Sequence, residues 1–325
     1  MEYTTLGNTG IEVSRICLGC MSFGDPDWRA WVKGEEFGTE LVERAIDLGI
    51  NFFDTANMYS RGESERVLGK ALEGYDRDAQ VVATKVFFQM RDDDPNSGGL
   101  SRKTIEQELD ASLDRLGTDT IDLYQTHRWD YDTPVETTMS ALTDAVRRGK
   151  VRHLGASSMW AYQLATAQHT ADRQGLERFA TMQNHYNLAY REEERETLPF
   201  CEQEGMGVIP WSPLARGYLT RPHEEYMSTK RAETDDYAQE HPYADRGGRE
   251  INARVEELAA EYDAEMAQIA LAWVLAKDVV TAPIVGASSI EHLESAVEAL
   301  EIDLSDSDVA YLEEPYEAVG VSGHA

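Results

Sequence analysis

Cysteine is almost missing from this chain: Cys17, Cys20 and Cys201 are the three among 325 residues. Three thiols cannot build a disulfide framework, so the fold must rest on apolar packing. Cys17 and Cys20 have the C-x-x-C spacing of metal and redox sites, but no second pair accompanies them. They fall inside a strand pattern, where two small buried residues are the simpler reading. Positive charge is scarce as well. Thirty Lys and Arg, only seven of them Lys, face 60 Asp and Glu, a net charge of −30 at pH 7. A duplex-binding surface needs clustered cations to displace counterions from phosphate, so nucleic acid is not expected as a partner. No apolar run of 18 residues occurs, and Met1-Glu2-Tyr3-Thr4 has no basic then apolar character. A soluble, cytoplasmic protein without a membrane partner is expected. No apolar stripe stands apart from the core pattern, so no oligomeric state is predicted.

What is present argues for a folded chain. Forty-two per cent of the residues are hydrophobic, with six Trp and 15 Tyr, enough to build a core despite the charge. The acids are spread through amphipathic stretches such as Glu192-Glu193-Glu194, which predicts a carboxylate-covered surface suited to a strongly saline, halophilic setting. Repulsion among such charges is screened within about 3 Å at 1 M salt, so salt should stabilise the fold.

The segment Leu6-Gly7-Asn8-Thr9-Gly10-Ile11 places a Gly/Asn turn between two alternating runs and predicts a hairpin. After it, short apolar runs alternate with longer amphipathic ones. Strands are predicted at Arg15–Leu18, Asn51–Phe53, Gln80–Thr84, Ile121–Gln125, Val151–Gly155, Thr181–Asn184, Gly207–Pro210 and Thr281–Val285. Helical periodicity covers Thr39–Leu48 and Lys103–Leu116, and Thr133-Pro134-Val135-Glu136 reads as an N-cap, a Pro at the first turn and a capping-box Glu. Eight strands each followed by a helix, with no linker between them, predict an α/β (β/α)8 TIM barrel as one domain over residues 1–325, plugged at one end by the hairpin. The polar stretch 215–248 after the seventh strand is too long for a plain connection and reads as a lid loop. Residues 319–325 read as a flexible tail.

Barrel chemistry sits at the C-terminal ends of the strands. The second strand ends at Asp54, the third at Lys85 and the fourth at His127, each after an apolar run. A buried ammonium needs a counter-charge, and Asp54 is its partner. Tyr59, five residues beyond Asp54, completes the group. Beside an ammonium its pKa is expected to fall from about 10 toward neutrality, where it can exchange a proton with substrate.

These residues carry a family likeness. Asp54-Thr55-Ala56-Asn57-Met58-Tyr59-Ser60-Arg61-Gly62-Glu63-Ser64-Glu65, Ala83-Thr84-Lys85, Asp122-Leu123-Tyr124-Gln125-Thr126-His127 and Gly155-Ala156-Ser157-Ser158 resemble the aldo-keto reductase superfamily, in the branch that includes potassium-channel β subunits. The similarity runs from Leu6 to about Leu300. It implies a barrel that uses NADP(H), less often NAD(H), without metal, and a tetrad of Asp54, Tyr59, Lys85 and His127. It further implies cofactor contacts at Gly19, Met21 and Asp54. The carboxamide would lie against Ser157, Ser158 and Gln183, the ring on Trp211, and the pyrophosphate by Ser212, Leu214 and Arg216. Many members have Ser-Asn where this chain has Ser157-Ser158. For the adenosine side the loop after strand eight offers Gly286, Ser288, Ser289 and His292 but no permanent cation. Ser288 and Glu291 have capping-box spacing, and a helix N-terminus with hydroxyls can hold a phosphate, so NADP(H) is expected, with NAD(H) the alternative. No G-x-G-x-x-G follows a strand, which disfavours a Rossmann domain.

The expected activity is reversible reduction of aldehydes or ketones. Cys20, Phe23, Trp28, Tyr59, Trp129 and Tyr186 are expected to line a pocket for medium-sized apolar or aromatic carbonyls, in preference to charged ones. The alternative is a cofactor-binding regulatory or redox-sensing subunit with slow turnover. A metal-dependent hydrolase would need a site from His127, Asp130, His153 and His185; His153 lies inside a strand run, and no His-x-His ends the first strand.

Overall fold

The computed structural model describes residues 1–226, 229–240 and 243–324. The hairpin forms as its turn predicts, β1 (Tyr3–Thr5) pairing antiparallel with β2 (Glu12–Ser14). Its apolar residues Leu6 and Val13 are fully buried with Cys17, Phe52, Val81, Leu123 and Ile209, so the hairpin plugs the floor of the barrel. The approach is close. Gly7 has φ +52°, and a Cβ there would stand 2.5 Å from the Gly207 amide nitrogen and 2.7 Å from the Ala180 carbonyl oxygen; only glycine permits both.

Eight parallel strands follow: β3 (Cys17–Gly19), β4 (Phe52–Asp54), β5 (Val81–Val86), β6 (Ile121–Thr126), β7 (Val151–Ser157), β8 (Phe179–Gln183), β9 (Gly207–Val208) and β10 (Ile284–Val285). Their order in the sheet is β10-β3-β4-β5-β6-β7-β8-β9. Parallel bridges Val208–Val280 and Trp211–Ile284 bring the ends together, with Thr281 N–H on Val208 O at 2.8 Å and Ile284 N–H on Pro210 O at 2.9 Å. The result is the (β/α)8 barrel. Strands β9 and β10 are shorter than their apolar runs because Pro210 and Pro283 lack the N–H that a ladder needs.

Between the strands run α1 (Glu35–Asp47), α2 (Glu63–Leu72), α3 (Arg102–Leu116), α4 (Val135–Arg147), α5 (Ala161–Gln174) and α6 (Thr197–Glu204). Beyond β9 come the short α7 (His223–Tyr226), α8 (Lys230–Thr234) and α9 (Asp236–Glu240), then α10 (Gly248–Glu261), α11 (Met266–Leu275), α12 (Ile290–Glu298) and α13 (Asp306–Glu313). Alternation along the strands makes two cores: Cys17, Phe52 and Ala83 face the barrel interior, while Leu18, Phe53 and Val82 face the helices. Burying each large aliphatic side chain contributes about 1.5–3 kcal/mol.

Four expectations need correction. Thr133 does not cap α4; Pro134 holds the N-cap position in an extended conformation, and Thr133 N–H is already engaged by Asp130 Oδ1 at 3.3 Å. Ser289, not Ser288, caps α12 by accepting from His292 N–H. The stretch 215–248 is not a structureless loop: a 3₁₀ segment, Ala215–Thr220, and α7 to α9 occupy it, and Tyr218, Leu219, Tyr226 and Tyr243 are buried. Its residues 227, 228, 241 and 242 lie outside the described residues. The tail is docked as far as His324, with Val319 N–H on Glu192 Oε1 at 3.0 Å and Ser322 N–H on Tyr190 Oη at 3.1 Å; residue 325 lies outside the described residues. Among the described residues no helix is long and apolar enough to cross a membrane.

Candidate active site

The period of two along the strands builds the mouth. Phe52, Ala83 and Leu123 point into the barrel, so Asp54, Lys85, Gln125 and His127, two or four residues further on, point the same way at the upper rim. The Lys85 ammonium is fully buried and donates to Asp54 Oδ2 at 2.5 Å, to the Thr55 carbonyl at 2.8 Å and to Tyr59 Oη at 3.3 Å. Asp54 Oδ1 accepts from Gln125 Nε2 and Gln183 Nε2, both at 2.9 Å. Every polar partner that a buried ion pair requires is therefore supplied. Tyr59 opens a 3₁₀ turn in which Ser60 and Arg61 adopt left-handed φ of 49° and 51°, which aims its ring back over the mouth. The His127 ring meets it edge-on, centroids 5.8 Å apart.

Burial sets the charges. Desolvation works against the Lys85 cation, but Asp54 and Tyr59 outweigh it and its pKa is raised. Burial, with the Lys85 and Arg128 cations, pushes His127 well below its usual value, so the imidazole is neutral. Tyr59 corrects the expectation of an acidified phenol: desolvation outweighs Lys85 and raises its pKa, leaving the hydroxyl protonated.

Opposite this group, Trp211 donates its indole N–H to Ser158 Oγ at 3.1 Å, and Ser158 Oγ lies 3.3 Å from Ser157 Oγ. One Trp211 face stacks on His185 at 4.2 Å, and His185 stacks in turn on Tyr190 at 4.0 Å. The Tyr237 ring packs edge-on at 5.6 Å from Trp211, and its hydroxyl lies 2.7 Å from Ser322 Oγ. Arg216 is locked to Asp235 at 2.6 Å. Ser158, Ser212, Ala215 and Arg216 all have φ between 48° and 55°, a cost of about 1–3 kcal/mol each. Gly19 and Gly286 face each other across the β3–β10 seam with Met21 half-buried beyond, and Leu214 starts the turn to Ala215. Ser288, Ser289 and His292 cluster at the start of α12, Ser288 Oγ 3.1 Å from His292 Nδ1.

The pocket residues divide. Trp28 lies 6.4 Å from Tyr59, ring to ring, and Trp31 packs on Trp28. Cys20 and Phe23 do not line the mouth: both are fully buried in the layer between sheet and helices, Phe23 pressed on Gly38 of α1. Tyr186 also points away. Alternation from Gln183 sends His185 inward and Tyr186 outward, where its hydroxyl meets Glu194 at 2.5 Å and its ring meets Trp273 of α11. Trp129 is half-buried against the outer core, with no ring contact to the mouth's aromatic residues among the described residues. Sequence reasoning missed Gln125, Phe88 and Tyr237. Gln125 was legible, since it shares the inward register of Leu123 and His127; Phe88, 4.9 Å from His127, lies on an irregular segment, and Tyr237 lies on the short helix α9, neither in such a register. Among the described residues no three His, Cys, Asp or Glu side chains gather as metal ligands.

Known proteins are similar to this chain over nearly its whole length. "Aldo-keto reductase AMT2" of Alternaria alternata is 42% identical, covering 99% of this chain and 94% of its own. "Aldo-keto reductase dtxS3" of Metarhizium robertsii is 42% identical over 100% and 94%, and "Versiconal hemiacetal acetate reductase" of Aspergillus parasiticus is 43% identical over 97% of each. Residues 15–317 match the Aldo/keto reductase family model, and the chain belongs to that family.

Proposed function

We propose that this protein is an NAD(P)H-dependent carbonyl reductase in which Tyr59 protonates the substrate oxygen. One observation carries the reading: a fully buried Lys85 ammonium, anchored on Asp54, directs a third N–H to the Tyr59 hydroxyl. Relatives with reductase names at 42–43% identity support the reaction class.

The residues fit a nicotinamide cofactor. Gln183 spends its N–H groups on Asp54 and Gln125, which leaves Oε1 as an acceptor for an amide N–H. Ser157 and Ser158 supply hydroxyls beside it, and Trp211 supplies an aromatic surface. Ser212, Leu214 and the Arg216 backbone would hold the pyrophosphate, Gly19 and Met21 the near side of the seam, and Gly286, Ser288, Ser289 and His292 the adenosine end. When bound, the cofactor supplies the hydride.

The protein's part is acid catalysis and positioning. Tyr59, protonated in the free protein, gives its proton to the carbonyl oxygen, and the Lys85 ammonium stabilises the phenolate left behind. Asp54, held by two glutamine amides, keeps Lys85 in place. Neutral His127 orients the carbonyl as a hydrogen-bond donor. We assign NADP(H), because a 2′-phosphate at the α12 N-terminus would meet backbone N–H groups and the Ser288 and Ser289 hydroxyls.

The assay is aldehyde-dependent oxidation of NADPH and NADH in molar KCl. Turnover with NADPH preferred supports the reading, whereas a preference for NADH above tenfold reverses the cofactor assignment. NADP(H) that copurifies, with feeble turnover of every carbonyl, would favour the regulatory-subunit alternative. The −30 charge adds a claim about solvent: the melting temperature should rise from low to molar KCl as repulsion is screened, and an unchanged value would remove the halophilic reading.

A further inference from the structure

We infer that Arg128 is a recognition site for a carboxylate on the substrate, so that the preferred substrates are carbonyl compounds bearing one acidic group. The inference rests on the reductase reading. Arg128 follows His127 directly, and its guanidinium is fixed at the mouth by two contacts: Nη1 donates to the His127 carbonyl at 2.7 Å, and the Phe88 ring lies 5.5 Å beneath it. Phe88 in turn packs on His127. The guanidinium is thus positioned by the same elements that position the imidazole.

Most half-buried arginines are paired differently, although Arg15, which also lacks a carboxylate among the described residues, spends its guanidinium on the Leu275, Val280 and Thr281 carbonyls. Arg115, Arg191, Arg216 and Arg254 each hold a carboxylate within 2.9 Å, as expected in a protein with twice as many acids as bases. Arg128 has no carboxylate partner among the described residues, and its remaining nitrogens are not sealed from solvent. The ionisable groups around it are the Tyr59 and Tyr237 phenols and Arg216. Arg216 is committed to Asp235. One planar fork is left, which matches one planar carboxylate bidentately; a phosphate dianion would call for a second free cation. A half-buried pair is also screened less by salt than a surface one. This departs from the uncharged substrates that the aromatic residues alone suggest.

The test compares kcat/KM for 2-, 3- and 4-carboxybenzaldehyde with that for benzaldehyde, in the parent and in Arg128→Gln and Arg128→Lys. The parent should favour at least one carboxylated isomer tenfold or more, Arg128→Gln should lower that ratio at least tenfold, and Arg128→Lys should keep part of it. No preference in the parent, or an unchanged ratio in Arg128→Gln, overturns the inference. A tenfold rise in KM for NADPH with the ratio unchanged assigns the guanidinium to a cofactor phosphate and overturns it as well. Calorimetric titration with isophthalate, against isophthalamide as the uncharged control, needs no turnover and separates this inference from the reductase reading. Binding by the parent that Arg128→Gln loses supports the site even if no aldehyde is reduced; equal binding by both proteins contradicts it.

Discussion

The two halves of the barrel mouth are held in different ways. Between β4 and β6, Asp54, Lys85, Gln125 and His127 sit on strands or one residue beyond them, above a packed interior of Phe52, Ala83 and Leu123. Their geometry is as stiff as the sheet. On the side of β8 to β10, Trp211 is held by Tyr237 and by His185, itself stacked on Tyr190, while Ser322 and Gly323 arrive from the far end of the chain. That half depends on several loops closing together, and such regions open at the least free-energy cost. The side proposed to donate the proton is thus preorganised, whereas the side facing the proposed cofactor is assembled by docking.

Breaking the stiff half should cost most. Lys85→Met leaves the Asp54 carboxylate buried without its cation and should lower the unfolding free energy by about 3–5 kcal/mol, read from urea unfolding. Adding Asp54→Asn should recover much of that loss, because the lone buried charge is then gone. A loss below about 1 kcal/mol for Lys85→Met would mean that the ion pair does not organise the mouth.

Removing residues 319–325 tests the docked half. The deletion takes away the Val319 and Ser322 N–H bonds and the Ser322 contact with Tyr237. At about 0.5–1.5 kcal/mol for each of these three hydrogen bonds, a loss of about 1.5–4.5 kcal/mol is expected. A larger effect than that of Lys85→Met would reverse the comparison.

The smallest effect is a pH slope. The folded His127 stays neutral below its ordinary pKa, while the unfolded chain binds a proton as pH falls through about 6.5. The unfolded state then holds more protons, so His127 makes stability fall as pH drops from 7 toward 5. Replacing it with Gln should flatten that slope by up to about 1.4 kcal/mol per pH unit. An unchanged slope would place a charged imidazole in the mouth.

How much of this was legible in the sequence follows the same division. Asp54, Lys85 and His127 were readable because each ends an apolar run, and a strand's alternation decides which way its last residue points. The barrel followed from eight such runs separated by helical periodicity. The register past β8 was harder: Tyr186 follows an inward His185 by one residue and so lands in the outer layer, and Cys20 and Phe23 do likewise beyond β3. The tail looked frayed because its small residues carry no apolar period, yet its backbone N–H groups find Glu192 and Tyr190, 127 and 132 residues away. Long-range polar docking leaves no local pattern. The Tyr59 pKa was misjudged because the ammonium is obvious in sequence, while the opposing desolvation belongs to the packed mouth.

The protonated Tyr59 hydroxyl, positioned by Lys85, is the proposed acid for carbonyl reduction. The most direct measurement is kcat/KM for benzaldehyde with NADPH from pH 6 to 9, in the parent and in Tyr59→Phe. With the Tyr59 pKa raised, the parent profile should stay level to pH 9, and Tyr59→Phe should fall by about 10²–10⁴. A parent profile that declines from neutral pH, or a Tyr59→Phe variant that turns over within twofold of the parent, would contradict it.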